Sequence, residues 1–341
     1  MAHTCAGRVF CTHVFRQGFG RPHSRARVKE ARPLFCLQRK MESKSVKVSY
    51  KDFIHPQDDA ARRQLEAVPG FDTVTKCFLK VGVEKFIHGY FMANYIRLSK
   101  TQLPEIYNLL PPVAEKFGIE EPEFYLQMNP TPNAYTTGDE RRFIVVTSGL
   151  LEHITDVKER ESIIAHECGH IVCRHVFYMT MARMLSMAGF SFGIPSALVA
   201  PLDLAFKYWS RRCELSADRA SAVYLGEVNP AMQALLRITG GPQQFTKDLN
   251  IEEYAAQSQA YYALQKDSKW HKLLQSYAVM NQGHPFSAVR IQELIKWCDS
   301  DKYRRLCKSW EEGLDMFVCD KCRKLVSKND RFCAHCGNPI V

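Results

Sequence analysis

The sequence has little that marks a secreted or a uniformly charged protein. It lacks the sustained apolar stretch near its start that a secretory signal needs. Its 13 cysteines are an odd number without a framework spacing, which argues against a disulfide scaffold and favours a reducing compartment. Of the net charge of +10, residues 1–40 carry +8, from nine Arg or Lys and one Glu. The rest of the chain therefore gives no electrostatic reason to expect nucleic-acid binding.

Composition divides the chain into three segments. Residues 1–40 are a basic extension that we expect to be disordered, although their Arg-rich, acid-poor character also resembles an organelle transit peptide. Residues 41–316, rich enough in apolar residues to bury a substantial core, are expected to form the main domain. Residues 317–341 contain two closely spaced cysteine pairs and are expected to fold separately.

Residue patterns in the main domain predict an α+β fold, mainly helical with a small antiparallel sheet. The β-branched run at 143–147 is the clearest strand signal in the chain. One long helix is predicted from about 156 to 186, with Thr155 or Asp156 as its N-cap. The other predicted strands are 124–128 and 133–137, and the other predicted helices are 103–117, 213–224, 231–238, 252–264 and 288–297.

A segment of 19 uncharged residues, 184–202, is long enough on length alone to span a bilayer. Gly189, Gly193, Pro195 and Pro201 interrupt it, however. We favour a buried or interfacial helical hairpin, and a membrane span stays open as the alternative.

The five residues from His166 to His170 form an HExxH motif inside the long predicted helix. Positions i and i+4 share a helix face, so both imidazoles can bind one Zn²⁺ ion and leave one position for water. Glu167 is offset around the helix, which makes it a candidate general base for metal-activated water attacking a peptide carbonyl. The alternative is a chance pairing of a buried and a surface histidine, but apolar flanks such as Ile163 and Ile171 favour burial.

A third metal ligand is needed, and Glu214 is the best candidate. Glu214 and Asp218 share a helix face, so one carboxylate can bind zinc while the other orients a ligand histidine through its free N–H. Such a pair is, by itself, more often a solvated helix face.

Four sequence elements are informative when they are considered together. They are Asn133-Ala134-Tyr135, the HExxH at 166–170, Ser210-Arg211 followed by Glu214 and Ala217-Asp218, and His284-Pro285. Together, over roughly residues 90–296, they resemble the M48 metallopeptidases, which include the HtpX-like and CAAX-prenyl (Ste24-like) proteases. The chain lacks the several hydrophobic spans of the membrane-embedded members, which puts a prenylated substrate in doubt.

The resemblance implies a zincin-like fold and a role for each matching residue. It implies that Glu214 is the third zinc ligand and that Asp218 supports the catalytic site. It also implies that an extended substrate pairs with a strand edge and that His284 donates a hydrogen bond to the oxyanion. Taken alone, His284 is more often a turn residue. The implied substrate-binding residues are Asn133, Ala134, Tyr135 and Arg211.

The C-terminal segment contains two CxxC pairs ten residues apart, Cys319 with Cys322 and Cys333 with Cys336. Four thiolates at this spacing predict a closed, structural zinc site, or zinc ribbon. So short a segment cannot fold on its own core, so metal binding would supply the folding energy. A protein-docking role is favoured over nucleic-acid binding, because scattered basic residues are usually a solvated face.

These patterns predict a zinc-dependent endopeptidase that acts on extended or unfolded polypeptides. The alternative is a non-catalytic zinc-binding adaptor or chaperone-like protein, against which the intact Glu167 argues. We expect one catalytic and one structural zinc ion, a polypeptide substrate, and a protein partner at the ribbon. The expected location is the cytoplasm, with membrane association as an open alternative.

Overall fold

The computed structural model describes residues 50–188, 196–267 and 287–311, and within the C-terminal segment 316–318, 321, 325–327, 331–333 and 336–339. The helices in these ranges are α1 (Tyr50–Phe53), α2 (Pro56–Glu66), α3 (Phe71–Val81), α4 (Val83–Asn94), α5 (Pro104–Tyr107), α6 (Leu110–Phe117), α7 (Ser148–His153), α8 (Val157–Val172), α9 (His175–Ala188), α10 (Ser196–Leu225), α11 (Asn229–Gly240), α12 (Gln243–Thr246), α13 (Ile251–Asp267), α14 (Ser287–Cys298) and α15 (Asp301–Glu311). The strands are β1 (Ile96–Arg97), β2 (Glu123–Gln127), β3 (Ala134–Gly138), β4 (Arg142–Thr147), β5 (Met316–Val318) and β6 (Leu325–Ser327).

The main sheet has four strands in the order β1-β2-β4-β3. The predicted α+β fold is confirmed, but the sheet is mixed instead of wholly antiparallel. Strands β2 and β4 run parallel, because β3 crosses to the edge and a tight turn then returns the chain beside β2. Gly138, at φ 115°, begins that turn, where a Cβ would meet the carbonyl oxygen of Arg141. This topology leaves β3 at an edge of the sheet.

Helix α8, which carries the HExxH motif, begins and ends for clear local reasons. The side chain of Asp156 caps it by accepting a hydrogen bond from the Glu159 amide at 3.0 Å. The helix ends at Cys173, and Arg174 has a left-handed φ of 60°. The prediction of one continuous helix over 156–186 is therefore wrong, since α9 starts in a new direction at His175.

Helices α8 and α10 pack against each other closely enough to place their polar side chains together. A Cβ at Gly169 would lie 2.7 Å from the Cβ of Ala220 and 3.2 Å from the Cα of Ala217, so only glycine fits this contact. Helix α10 is a single helix of 30 residues, of which the predicted helix at 213–224 is the second half.

Two hydrophobic clusters meet along α10. The larger cluster joins the sheet to α6, α8, α11, α14 and α15, and includes Ile144, Ile164, Val223 and Leu294. The other cluster packs α2, α3 and α9 around the first half of α10, where Phe206 and Trp209 are almost fully buried. Burial of both halves fixes the helix over most of its length.

The uncharged segment at 184–202 is described only in part, because residues 189–195 lie outside the described residues. Helix α9 ends just before this gap and α10 begins just after it. Across the described ranges, no helix combines the length and the apolar character needed to cross a bilayer. The helical hairpin stays a prediction.

In the C-terminal segment, β5 and β6 pair antiparallel. The second cysteine pair forms a tight turn in which the amides of Cys336 and Gly337 donate to the carbonyl of Cys333, at 3.3 and 2.8 Å. Gly337 has φ 68°, as expected for the glycine after such a turn. Cys319 and Cys322 lie outside the described residues, as do residues 1–40. The zinc ribbon and the three-segment organisation stay predictions.

Candidate metal centre and substrate cleft

Three candidate ligands on α8 and α10 meet in the interior. The Nε2 atoms of His166 and His170 are 3.2 Å apart, and each lies 3.4 Å from a carboxylate oxygen of Glu214. All three side chains are buried, and together they form a group able to hold a metal ion. Ligand atoms about 2.0–2.1 Å from a tetrahedral Zn²⁺ are separated by about 3.4 Å. The donor set therefore fits a zinc ion.

The His166 ring is oriented by a buried ion-pair network. Its Nδ1 atom lies 3.0 Å from Asp218, whose carboxylate accepts two hydrogen bonds from Arg290 at 2.6 and 2.8 Å. Arg290 also reaches Glu214 at 3.2 Å. Burial opposes ionisation of Asp218, but Arg290 and His166 lower its pKa to about 2. The ionised Asp218 accepts the Nδ1–H of His166, which leaves Nε2 free to face Glu214.

The His170 ring is oriented on its other side. Its Nδ1 lies 2.9 Å from Nδ1 of His175, and Nε2 of His175 lies 2.9 Å from Asp58 in helix α2. Burial lowers the pKa of His170, although Glu214 opposes this shift, so the neutral ring that metals bind is favoured.

The carboxylate of Glu167 is held by the sheet. The hydroxyl of Thr136 in β3 donates to its Oε2 atom at 2.5 Å, and both residues are buried. This contact joins the candidate base to the edge strand, and it fixes one carboxylate oxygen while the other stays available.

A cleft of about 480 Å³, including its mouth, joins the edge of β3 to His166 and Glu167. Asn133 and Ala134 line one side of it. Side chains of α8 and α11 form an apolar wall opposite, and this wall consists of Ile163, Ala231, Ala234, Leu235 and Ile238.

The register of β3 determines which backbone groups face this cleft. The Thr147 amide donates to the Asn133 carbonyl at 3.0 Å, so in an antiparallel ladder Asn133 and Tyr135 direct their backbone groups toward β4. The backbone groups of Ala134 and Thr136 alternate with these and face outward.

Helix α9 covers the far end of this edge. The Thr136 carbonyl accepts a hydrogen bond from Arg183 at 3.1 Å, and the amide and carbonyl of Gly138 both bond to the Thr180 hydroxyl. Arg183 also stacks on the ring of Tyr135, 4.6 Å from its centre. Ala134 is thus the residue of β3 whose outward amide and carbonyl lie beside the cleft before α9 covers the edge.

The other predicted site residues have different outcomes. Arg211 lies on α10, three residues before Glu214, and burial together with Arg212 lowers its pKa. His284 lies outside the described residues, so its role stays a prediction.

The sequence reasoning did not identify several residues that hold the site together. Asp58 and His175 are 117 positions apart, and Asp218 and Arg290 are 72 positions apart. No helical or strand periodicity connects residues at such distances. A search for unassigned Asp, His and Arg in apolar surroundings could have found the charged residues and the histidine among them, but it could not have found the threonine. The residues missed are Asp58, Thr136, His175, Arg183 and Arg290.

The HExxH helix and the cleft beside a strand edge define a zincin-like metalloprotease domain. The sequence model of peptidase family M48 matches residues 101–298, and the chain belongs to this family. The predicted resemblance is thereby confirmed. M48 metallopeptidases use zinc, so the protein is a zinc-dependent metalloprotease by family.

Two curated relatives illustrate the range of this family. The chain is 29% identical over 261 residues to the plastoglobule-localized metallopeptidase 48 of Arabidopsis thaliana chloroplasts, covering 75% of each protein. It is 28% identical over 172 residues to a protease HtpX homolog of Ralstonia nicotianae, covering 43% of this chain and 60% of that relative.

Proposed function

We propose that the protein is a zinc-dependent endopeptidase that cleaves extended or unfolded polypeptides. The observation that carries the proposal is one cleft into which the outward-facing strand residue Ala134, the candidate ligand His166 and the candidate base Glu167 all open. A non-catalytic adaptor has no need of a carboxylate fixed beside the ligands. The hydrogen bond from Thr136 to Glu167 therefore favours the enzyme over the adaptor.

In this proposal His166, His170 and Glu214 hold one zinc ion. Zinc in such a site supplies Lewis acidity, which lowers the pKa of water and polarises a peptide carbonyl. Glu167 accepts the proton of the attacking water on its free carboxylate oxygen and delivers it to the leaving amine. Asp218 keeps the Nδ1 proton of His166 in place, and Arg290 balances the charge of two buried carboxylates.

The substrate would bind as an extra strand on the edge of β3. The outward amide and carbonyl of Ala134 are the backbone groups that would pair with it, as in other complexes formed by strand addition. Pairing would end near Thr136, because Arg183 and Thr180 already donate to the outward carbonyls of Thr136 and Gly138. An endopeptidase benefits from this geometry, since an edge strand accepts the middle of a chain as well as its end.

The apolar wall of the cleft would select the substrate side chain next to the scissile bond. Ile163 and Leu235 are buried, and Ile238 is partly exposed at the same surface. A large apolar side chain could be buried there without leaving any polar group without a hydrogen-bond partner. Burial of a charged side chain would be disfavoured, because its hydration would be lost.

Several finer assignments stay part of the proposal. His284 would donate to the oxyanion, and Arg211 would contact the substrate. Cys319, Cys322, Cys333 and Cys336 would hold a second, structural zinc ion, and the ribbon would bind a protein partner. A cytoplasmic location with membrane association as the alternative also remains a prediction.

The function is tested with an unfolded protein substrate and three preparations: wild type, Glu167→Gln, and wild type treated with a zinc chelator. We expect cleavage by the wild type alone, with a rate loss of at least 100-fold for Glu167→Gln. The matched control is Glu115→Gln, an exposed glutamate on α6, which should cleave like the wild type. Equal cleavage by all preparations would refute the enzyme assignment.

The apolar wall is tested by mapping cleavage sites in a mixed peptide pool by mass spectrometry. The wild type should cut beside large apolar residues, and Ile238→Glu should shift cleavage toward Lys and Arg. Leu204→Glu, at an exposed apolar position on α10, is the control and should not change the pattern. An unaltered pattern for Ile238→Glu would contradict the assigned wall.

A further inference from the structure

Helix α2 contributes a buried carboxylate to a chain of hydrogen bonds that ends at His170. His175 bridges the two, 2.9 Å from Nδ1 of His170 and 2.9 Å from Oδ2 of Asp58. Both Asp58 and His175 are 1% exposed. Asp58 lies outside residues 101–298, the part of the chain that the M48 model matches.

The partners of Asp58 fix it as an acceptor. The Ser216 hydroxyl donates to Oδ2 at 2.5 Å and the Trp209 indole N–H donates to Oδ1 at 3.1 Å. Both carboxylate oxygens of Asp58 therefore accept hydrogen bonds, so we assign the proton in its contact with His175 to the imidazole.

The direction of the hydrogen bond from His175 to Asp58 determines which nitrogen of the metal ligand His170 carries a proton. With the proton of His175 on Nε2, its Nδ1 atom accepts the Nδ1–H of His170, 2.9 Å away. His170 then has its lone pair on Nε2, the atom that lies 3.4 Å from Glu214 and 3.2 Å from Nε2 of His166. The chain of bonds selects the one tautomer of His170 that presents a lone pair to a metal ion.

The local fold explains how His175 reaches this position. Five residues along a continuous helix would rotate its side chain about 140° away from His170. The helix instead ends at Cys173, and the left-handed backbone of Arg174 redirects the chain into α9. A non-glycine residue at φ 60° carries a conformational cost that the surrounding structure must offset.

We infer that Asp58 and His175 are positioning residues that fix the tautomer and ring orientation of the metal ligand His170. The inference rests on the proposed function, in which His170 binds zinc. It follows that the metal centre of this protein extends beyond the M48 domain to α2, so the domain alone would hold its metal more weakly.

The inference is tested by the zinc affinity of the His166–His170–Glu214 site. It is measured by chelator competition on the full-length protein carrying Cys319→Ser and Cys322→Ser, so that the proposed ribbon zinc does not contribute. We expect His175→Phe to weaken zinc binding 10- to 100-fold, as is usual when the partner of a ligand histidine is lost. His175→Gln can still accept from His170 and donate to Asp58, so it should retain more affinity than His175→Phe. Asp58→Asn keeps an acceptor but loses the charge, and it should fall between the wild type and His175→Phe.

A control separates positioning from general stability. His55→Ala removes the N-cap of α2 and the contact with Glu293 without touching His175, so it should lower stability and leave zinc affinity unchanged. If His55→Ala lowers zinc affinity as much as Asp58→Asn, the role of α2 is only structural and the inference fails.

The His170→Ala variant separates a failure of this inference from a failure of the proposed ligand set. Loss of zinc in His170→Ala with wild-type affinity in the His175 and Asp58 variants overturns the inference alone. Unchanged zinc affinity in His170→Ala overturns the proposed ligand set itself. If the variants do not fold, imidazole ¹⁵N spectra of the wild type decide. We expect the proton of His175 on Nε2 and none on Nδ1, and a protonated Nδ1 of His175 refutes the inference.

Discussion

The close approach of the two ligand-bearing helices at Gly169 gives a stringent test of the site geometry. A Cβ placed there would lie 2.7 Å from the Cβ of Ala220, whereas carbon atoms pack at about 3.5–4.0 Å. Gly169→Ala therefore requires α8 and α10 to separate by roughly 1 Å. His166 and His170 lie on α8 and Glu214 lies on α10, so the separation opens the ligand set directly.

The expected effect on zinc binding follows from this displacement. Ligand distances must stay within about 0.2 Å of their ideal values, so a shift of roughly 1 Å should weaken zinc affinity at least tenfold. Overpacking should cost about 1–3 kcal/mol of folding stability, partly offset by the better helix propensity of alanine, about 1 kcal/mol. Chelator competition and denaturant unfolding measure the two quantities.

Two further variants make this reasoning refutable. Gly89→Ala in α4 adds a methyl group where nothing lies within 4 Å, so it should be neutral or stabilising by about 1 kcal/mol and leave zinc affinity unchanged. Ala220→Gly added to Gly169→Ala removes the closest clash and should restore most of the zinc affinity. If Gly169→Ala binds zinc and unfolds like the wild type, the proposed coupling between helix spacing and ligand geometry is wrong.

Three more predictions concern the base, the scaffold and the C-terminal segment. Thr136→Val should lower kcat on the order of 10- to 100-fold with little change in KM, because Glu167 loses its fixed orientation, and Thr136→Ser should retain activity. The contact with His55, together with the hydrogen bond and charge of Lys296, lowers the pKa of Glu293 to about 2. The ionised form of Glu293 therefore stabilises the fold above about pH 4.5, and that contribution is lost as the pH falls toward 2. Glu293→Gln should therefore flatten the pH dependence of unfolding between those values, and an unchanged slope would contradict this. Deletion of residues 317–341 should leave peptide hydrolysis intact in a fluorogenic assay, since the candidate ligands and base lie on α8 and α10, and loss of hydrolysis in a folded deletion variant would refute it.

The sequence predicted those features that depend on local spacing. The strand at 143–147 and the Asp156 cap of α8 are where the pattern placed them, and His166 and His170 share a helix face as i, i+4 spacing requires. The break at Arg174 was not predicted, because a left-handed arginine follows from tertiary packing and not from helix propensity.

The contacts that support the ligands were equally inaccessible to sequence reasoning. Asp58 comes from a helix that packs against α9 and α10 only in the folded chain, and Arg290 reaches Asp218 across 72 residues. The parallel pairing of β2 with β4 escaped prediction for a related reason. Strand patterns define which residues face inward, but not which neighbour each strand selects.

Thr136 belongs at once to the strand that a substrate would extend and to the hydrogen bond that holds Glu167. A polypeptide that pairs with this strand would shift the same backbone that positions Glu167. Substrate binding would therefore be coupled to the orientation of the general base. The length of the peptide substrate would then affect turnover, and kcat would rise as the peptide becomes longer. Short peptides would dissociate before cleavage, so the products of the reaction would not be cleaved again.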